Sequence, residues 1–319
     1  MSEHLLEPLS ETMSFFSALK SFLGYLEGTQ KSRHTIESYR LDLQAFHDYL
    51  VRHTSKKEIT MKDISYLDLN HYQSFLLEQG LRNNTQRRKI LTVGRFFRYL
   101  FQRKKAPQEL ARKLLAPQKI ERIPITLSTT QLSSLKKLIF DLPQNTFIET
   151  RNRTLLGVLL ETGCLVSEVV RLRFEHWHAD VAQQEAKIFF HTKQESEPFR
   201  PINVSFELYR ASEALKKEAQ ECPWMFSGFN KFGSLGSPMT PRGVEIVLKM
   251  YAARFGFDFL TPRTLRHSVA VSWFESKVSE SEIQRRLGLK SKYAFRAYEA
   301  ILRSNAETTS KCYSSEQES

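Results

Sequence analysis

The chain has 319 residues, enough for two domains with separate cores, and 41% hydrophobic with 12% aromatic content excludes intrinsic disorder. Its 47 Lys and Arg against 35 Asp and Glu leave a formal net charge of +12, which points to a polyanionic partner, nucleic acid ahead of membrane. The first twelve residues carry Glu3, Glu7 and Glu11 and lack the basic start of a signal peptide, and no apolar run approaches the roughly 20 residues of a membrane span. The expectation is a soluble, cytoplasmic protein.

Cys164, Cys222 and Cys312 are odd in number and far apart, so neither a disulfide framework nor a zinc site is expected. No metal and no cofactor are expected at all.

In chain order, Phe15, Phe16, Leu19, Phe22, Leu23 and Leu26 recur at three and four residues and predict an amphipathic helix. A polar break from Gly28 to His34 leads to a second helix with Ile36, Tyr39, Leu43, Phe46 and Leu50 on one face. A third runs from about Tyr66 to Gln79, closed by Gly80, and a fourth from about Asn84 to Gln102 buries Ile90, Val93, Phe97, Leu100 and Phe101. Four short helices with brief loops predict a small bundle over residues 1–106.

The fourth helix and its flanks hold Arg82, Arg87, Arg88, Lys89, Arg95, Arg98, Arg103, Lys104 and Lys105 with no acid between them. A solvated helix face normally mixes signs, because opposite charges three or four residues apart attract. One sign held over five turns repels itself unless a polyanion neutralises it, so Arg82, Arg87, Arg88, Lys89, Arg95 and Arg98 are candidate phosphate contacts.

Residues 107–126, with Pro107, Pro117 and Pro124, read as a linker, and 127–319 as a second domain. There Ser128-Thr-Thr-Gln131 starts a helix, an apolar stretch through Leu155, Leu156, Leu159 and Leu160 stops at Gly163, and Ser167-Glu168 caps another helix. Residues 186–190 and 199–204 read as a β-hairpin whose polar loop holds Lys193. A helix over 239–255 bears Arg242, a further candidate DNA contact. Thr261 followed by Pro262 reads as an N-cap and first helical residue, which sets Arg266 and His267 in the first turns of a helix. An arginine at a helix start makes an anion site, since unpaired backbone N–H groups and the guanidinium fork point the same way. The next helix, from about 279, stops at Gly288, and Tyr298 follows on another segment.

Laid out this way, the chain resembles the tyrosine recombinase family, most nearly the Xer and phage-integrase type. Thr35-Ile-Glu-Ser-Tyr-Arg-Leu-Asp-Leu43 resembles the second helix of that family's N-terminal core-binding domain, and Thr162-Gly-Cys-Leu-Val-Ser-Glu168 the block that carries its first catalytic arginine. Lys193, eight residues before Pro201, is placed like the family's hairpin lysine, and Thr261–His267 is similar to its His-x-x-Arg-His block. Leu287-Gly-Leu289 stands nine residues before Tyr298, the family's spacing from its third block to the nucleophile. The resemblance implies a mainly α fold with a small antiparallel β-sheet: an N-terminal helical, SAM-like core-binding domain and a C-terminal α+β catalytic-type domain.

The family's reaction is DNA strand exchange through a 3′-phosphotyrosine. The resemblance implies Tyr298 as nucleophile, Arg266 as phosphate clamp and Lys193 as general acid, with His267 and Arg263 beside them. The chain departs from the pattern at three positions, where Leu165, Arg263 and Leu289 stand for the family's arginine, first histidine and second histidine or tryptophan. The implied partners are double-stranded DNA and either further copies of the chain, four in a synapse, or a paralogous recombinase; the segment 299–309 resembles the helix that docks on a neighbour. Three functions follow as expectations: a recombinase with a rearranged site, a DNA-binding regulator or architectural partner that has lost efficient cleavage, and an RNA-binding helical protein. A clamp on a duplex is favoured over RNA, which is read mainly by stacking on single strands.

Overall fold

The computed structural model describes residues 13–29, 31–103, 106, 110, 114–120, 125–191, 200–219, 222–229, 235–289 and 298. The chain forms two compact units, Met1–Arg122 and Ile123–Ser319. Lys104, Lys105, Lys193 with its hairpin loop, and the segment 299–309 lie outside the described residues.

The first unit is helical: α1 (Phe15–Gly28), α2 (Arg33–Thr54), α3 (Tyr66–Glu78) and α4 (Asn83–Gln102). Ser14, Ser32 and Ser65 cap the first three, each side-chain oxygen accepting a backbone N–H three residues on. Gly80 turns the chain after α3 at φ +61°, a conformation that costs glycine little. The apolar faces meet in an aromatic core in which Phe15, Phe22, Phe46, Tyr72, Phe96 and Phe97 are at most 2% exposed. α2 sits at its centre and packs on α1, α3 and α4.

Part of the segment that reads as a linker lies on this unit. Gln73 donates to the carbonyl of Leu115 (3.1 Å), Arg87 to that of Pro117 (2.5 Å) and Asn84 to that of Ile120 (3.0 Å).

The second unit is built around α6 (Phe147–Thr162), in which every residue from Thr150 to Leu160 is buried. It packs against α5 (Thr129–Phe140), α8 (Phe206–Glu218), α10 (Pro262–Glu275) and the strand β3 (Arg200–Val204). β3 pairs antiparallel with β2 (Glu185–Phe190), Ile188 opposite Ile202, as the alternation predicts. A third strand, β1 (Trp177–Asp180), extends the sheet in the order β1-β2-β3, and a separate pair, β4 (Ser227–Phe229) and β5 (Leu235–Pro238), precedes α9 (Pro241–Arg254). β1, β4 and β5 are absent from the sequence reading. The helix expected at Ser167-Glu168 is a single turn, α7 (Val166–Val169), whose N-cap is Leu165; Glu168 accepts the Leu165 N–H at 2.7 Å, so the acid caps the turn as its sequence predicts. The last described helix is α11 (Glu280–Leu287), capped by Ser279 and ended by Gly288 at φ +63°.

Among the described residues no helix is long and apolar enough to cross a membrane, and no group of three His, Cys, Asp or Glu is placed to hold a metal ion.

Candidate active site and nucleic-acid interface

Thr261 caps α10 through its hydroxyl, which accepts the Thr264 N–H at 3.0 Å, and Pro262 supplies the first helical residue without wasting a donor. The first turns of α10 then point Arg263, Arg266 and His267 into a cleft of about 1030 Å³. Leu165 and Val166 of α7, Arg242 and Lys249 of α9, Leu289 and Tyr298 line the same cleft.

Arg266 is 7% exposed, and its guanidinium joins two helix ends. Nη1 donates to the carbonyl of Gly163 (2.7 Å), the C-cap of α6, and Nη2 to that of Leu287 (2.5 Å), the last residue of α11. Both acceptors are carbonyls that a helix leaves without internal partners, at the negative end of its dipole. Among the described residues no carboxylate pairs with Arg266.

The acid nearest in sequence to the first-arginine position is committed elsewhere. Glu168 pairs with Arg200 at 2.8 Å, and Arg200 also donates to the carbonyl of Arg286 and covers the Phe190 ring at 5.1 Å. Arg200 is 6% exposed, and burial pulls its pKa down against the opposing pull of Glu168. Two buried arginines, from β3 and α10, therefore hold consecutive carbonyls at the end of α11. Sequence reasoning missed Arg200; the signal was its parity with Ile202, which puts both on the inward face of β3.

Arg263 Nε donates to His267 Nε2 at 3.3 Å, so that ring nitrogen is the acceptor and the proton sits on Nδ1. Burial, with Arg263 and Arg266 adding to it, pushes the His267 pKa down to about 4, which keeps the ring neutral at pH 7. Nδ1 is buried with no hydrogen-bond partner among the described residues. The Tyr298 ring lies 5.0 Å from the His267 ring and is 5% exposed, packed with Ala270, Val271, Ile283 and Leu287. Burial raises the Cys164 thiol to about 12, so it stays protonated beside the cleft.

Four of the predicted residues, Tyr298, Arg266, His267 and Arg263, thus meet in one place, with Arg242 on the cleft wall in an ion pair with Glu245 (3.2 Å). Leu165 and Leu289 share that wall, and Leu165 is 39% exposed. Arg171 and Arg173 do not line the cleft; Arg173 is held by Glu175 (3.4 Å) and lies over the Trp224 ring at 4.7 Å. Lys249, two turns after Arg242 on α9, also lines it.

In the first unit the basic helix α4 resolves into distinct sets. Asn84, Arg88, Leu91, Arg95, Arg98 and Gln102 form one exposed stripe, and Arg82 is exposed at the helix start. Arg87 is bound to the Pro117 carbonyl (2.5 Å), and Arg103 lies over the Tyr99 ring at 4.7 Å. The acid that the local sequence lacks comes from α2: Asp42, 1% exposed, pairs with Arg88 and stands 3.5 Å from Lys89.

Comparison with known proteins agrees with this fold. The tyrosine recombinase XerD of Proteus mirabilis is 28% identical over 264 residues, covering 81% of this chain and 79% of that protein. The XerH site-specific recombinase in its post-cleavage complex with palindromic difH substrate superimposes with a TM-score of 0.70 at 17% identity, covering 88% of this chain and 80% of that one. A lambda integrase tetramer bound to a Holliday junction gives a TM-score of 0.61 at 14% identity, covering 91% and 83%. Residues 19–104 match the phage integrase N-terminal SAM-like domain, and residues 131–304, more than half of the chain, match the phage integrase family. The chain belongs to the phage integrase family, and the curated relatives it resembles along most of their length are tyrosine recombinases of the Xer type.

Proposed function

We propose that this chain binds duplex DNA at specific sites and keeps a phosphotyrosine strand-transfer centre whose cleavage step is strongly attenuated. The observation that carries this reading is Arg266: a guanidinium 7% exposed, held by two carbonyls, with no carboxylate partner among the described residues and facing a cleft that Tyr298 also lines. A buried cation without a counter-charge is costly, and a phosphate supplies that charge.

In the reaction proposed, the Tyr298 oxygen bonds to phosphorus as its proton leaves, the bond to the 5′-oxygen breaks, and that oxygen takes the electron pair and a proton. Lys193 is the proposed proton donor, by its place in the family's pattern. Arg266 neutralises the charge that grows on the non-bridging oxygens. Arg263, held by His267, supplies a second guanidinium one helical turn away, but a guanidinium has donors only and keeps its proton, so it cannot act as a base.

The attenuation follows from Leu165 and Leu289. Loss of one preorganised donor costs about 10²–10³ in rate, and an apolar side chain facing a phosphate offers nothing for the water it displaces. Outside the centre, the arginine stripe of α4 is proposed to contact phosphates, with Arg82 beside it and Arg242 on the second unit. Self-association on DNA, or pairing with a paralogous recombinase, belongs to the same proposal, and a role as regulator or architectural partner is the form it takes where cleavage is wholly lost.

The test is a duplex selected by the protein, nicked near the cleavage point so that a covalent product is trapped. A slow covalent protein–DNA band from the wild type that is absent in Tyr298→Phe supports the reading. A band only from Leu165→Arg means the scaffold is intact and cleavage is lost. Absence of specific duplex binding overturns the proposal.

A further inference from the structure

Asp42 takes no part in the proposed chemistry, yet it is a carboxylate 1% exposed directly beneath the arginine stripe of α4. Its Oδ2 accepts from Arg88 Nη1 and lies 3.1 Å from Thr92 Oγ1, while Oδ1 stands 3.5 Å from Lys89 Nζ. Tyr39, one turn earlier on α2, places its ring 5.6 Å from the Arg95 guanidinium. Two side chains of α2, three residues apart, thus hold two arginines of α4, seven residues apart.

The two cations on Asp42 are held differently. Lys89 has 17% of its side chain exposed and lies against the carboxylate, whereas Arg88 has 46% exposed and gives Asp42 a single Nη1. A guanidinium carries five N–H donors in a rigid fork, so one edge can hold a carboxylate while another faces outward. A lysine has no such second edge. A buried carboxylate is costly without its partner, so this pair ties Arg88 down even though most of that side chain would otherwise be free to swing.

We infer that Asp42 is a positioning residue for DNA recognition: it fixes Arg88 in the orientation that meets a backbone phosphate and cancels one positive charge of the α4 face. This rests on the reading of α4 as a phosphate-contacting helix. The two effects act in opposite directions on the two kinds of binding. Cancelling a charge weakens attachment to any duplex, because fewer counterions are released. Fixing the guanidinium favours the one register in which its outward edge meets a phosphate, because less side-chain freedom remains to be lost on binding. Asp42 thus raises the ratio of specific to non-specific binding.

The experiment measures affinity, across a range of salt, for a duplex selected by the protein and for a random-sequence duplex of equal length. Asp42→Asn is expected to bind the random duplex several-fold more tightly, with a salt slope steeper by about one, the change expected for one more cation. Its preference for the selected duplex should fall several-fold. A carboxylate that served folding alone would lower both affinities together and leave the slope unchanged. Arg88→Lys keeps the charge at an exposed position and decides the matter even where Asp42→Asn does not fold. It is expected to leave random-duplex affinity within about twofold and lower selected-duplex affinity several-fold, as loss of the second edge requires. If either folded variant leaves the specific to non-specific ratio at the wild-type value, the role of Asp42 is refuted. Arg98→Ala separates this from the underlying reading, since Arg98 lies on the exposed stripe with no bond to Asp42. Unchanged random-duplex binding in Arg98→Ala removes α4 from the interface; weakened binding there, with an unmoved ratio in the other two, removes only Asp42.

Discussion

Arg266 donates from Nη2 to the carbonyl oxygen of Leu287 at 2.5 Å, and that bond ties the guanidinium on the cleft wall to the end of α11. Its Nη1 makes the matching bond to Gly163 at the end of α6. Removing this side chain therefore has two consequences. Arg266→Ala leaves two carbonyls of a buried region without their donor, a loss of about 1–3 kcal/mol of stability. It also removes the proposed phosphate cation, so specific DNA affinity is expected to fall about tenfold or more, the loss of one charge-assisted contact. Arg266→Lys keeps the charge but has no fork to span two carbonyls, so it should recover more of the DNA affinity than of the stability. Urea denaturation and duplex titration on the same samples separate the two. Equal recovery of both by lysine would contradict the bridging role.

Gly163 is the position where backbone conformation and close packing coincide. At φ +56° an added Cβ would stand 3.3 Å from Val269 Cγ1 and 3.7 Å from the Cα of Arg266. Gly80 has a similar φ, +61°, with nothing within 4 Å. Gly80→Ala is expected to cost about 1–2 kcal/mol, the penalty of an L-residue in the left-handed region. Gly163→Ala should cost more, because Val269 is buried and cannot retreat, and it alone should weaken DNA binding by displacing Arg266. Thermal unfolding of the two variants side by side checks the order, and equal costs would mean that the contact with Val269 is absorbed without effect.

The helix caps were the most legible features of the sequence. Ser128, Thr261, Ser279, Gly163 and Gly288 stand at helix ends because their chemistry is local, a hydroxyl to a nearby N–H or a residue free to take positive φ. Block order, through the family resemblance, also groups Arg266, His267, Arg263 and Tyr298, which line one cleft. Features that depend on distant partners were hidden. The basic run of α4 looked uniformly positive because its counter-ion, Asp42, lies 46 residues from Arg88. Glu168 read as a helix cap, which it is, but its pairing with Arg200 of β3 leaves no local signal. β1, β4 and β5 have only three or four residues each, too few for an alternating pattern to show.

His267 makes stability depend on pH with a defined sign. Its folded pKa, about 4, lies below the ordinary value near 6.5, so the unfolded chain binds the proton more readily. Above about pH 6.5 both states are neutral and the residue contributes no penalty. As pH falls from there towards 4 the unfolded state gains a proton that the folded state refuses, and stability drops. The full drop is at most on the order of 3 kcal/mol, and less once solvent screening is counted. His176, whose pKa burial also lowers, bends the curve the same way in this range, so the diagnostic is a difference between proteins. His267→Gln is expected to lose less stability than wild type between pH 7.5 and 5 in urea titrations. Parallel losses would place the titration elsewhere.

Tyr298 separates chemistry from architecture, because its ring and its hydroxyl do different work. The ring packs on Ala270, Val271, Ile283 and Leu287 and lies 5.0 Å from the His267 ring, all of which a phenylalanine reproduces. Tyr298→Phe is therefore expected to change stability by about 1 kcal/mol at most, the net worth of one hydrogen bond, and to leave duplex affinity unchanged while any covalent product disappears. Tyr298→Ala removes the ring and should cost about 3–5 kcal/mol, since a large buried side chain leaves a cavity. It should also loosen the end of α11 that Arg266 holds. A covalent adduct that persists in Tyr298→Phe would move the nucleophile to another residue. A Tyr298→Ala protein as stable as wild type would mean that the ring does not pack in the core of the second unit at all.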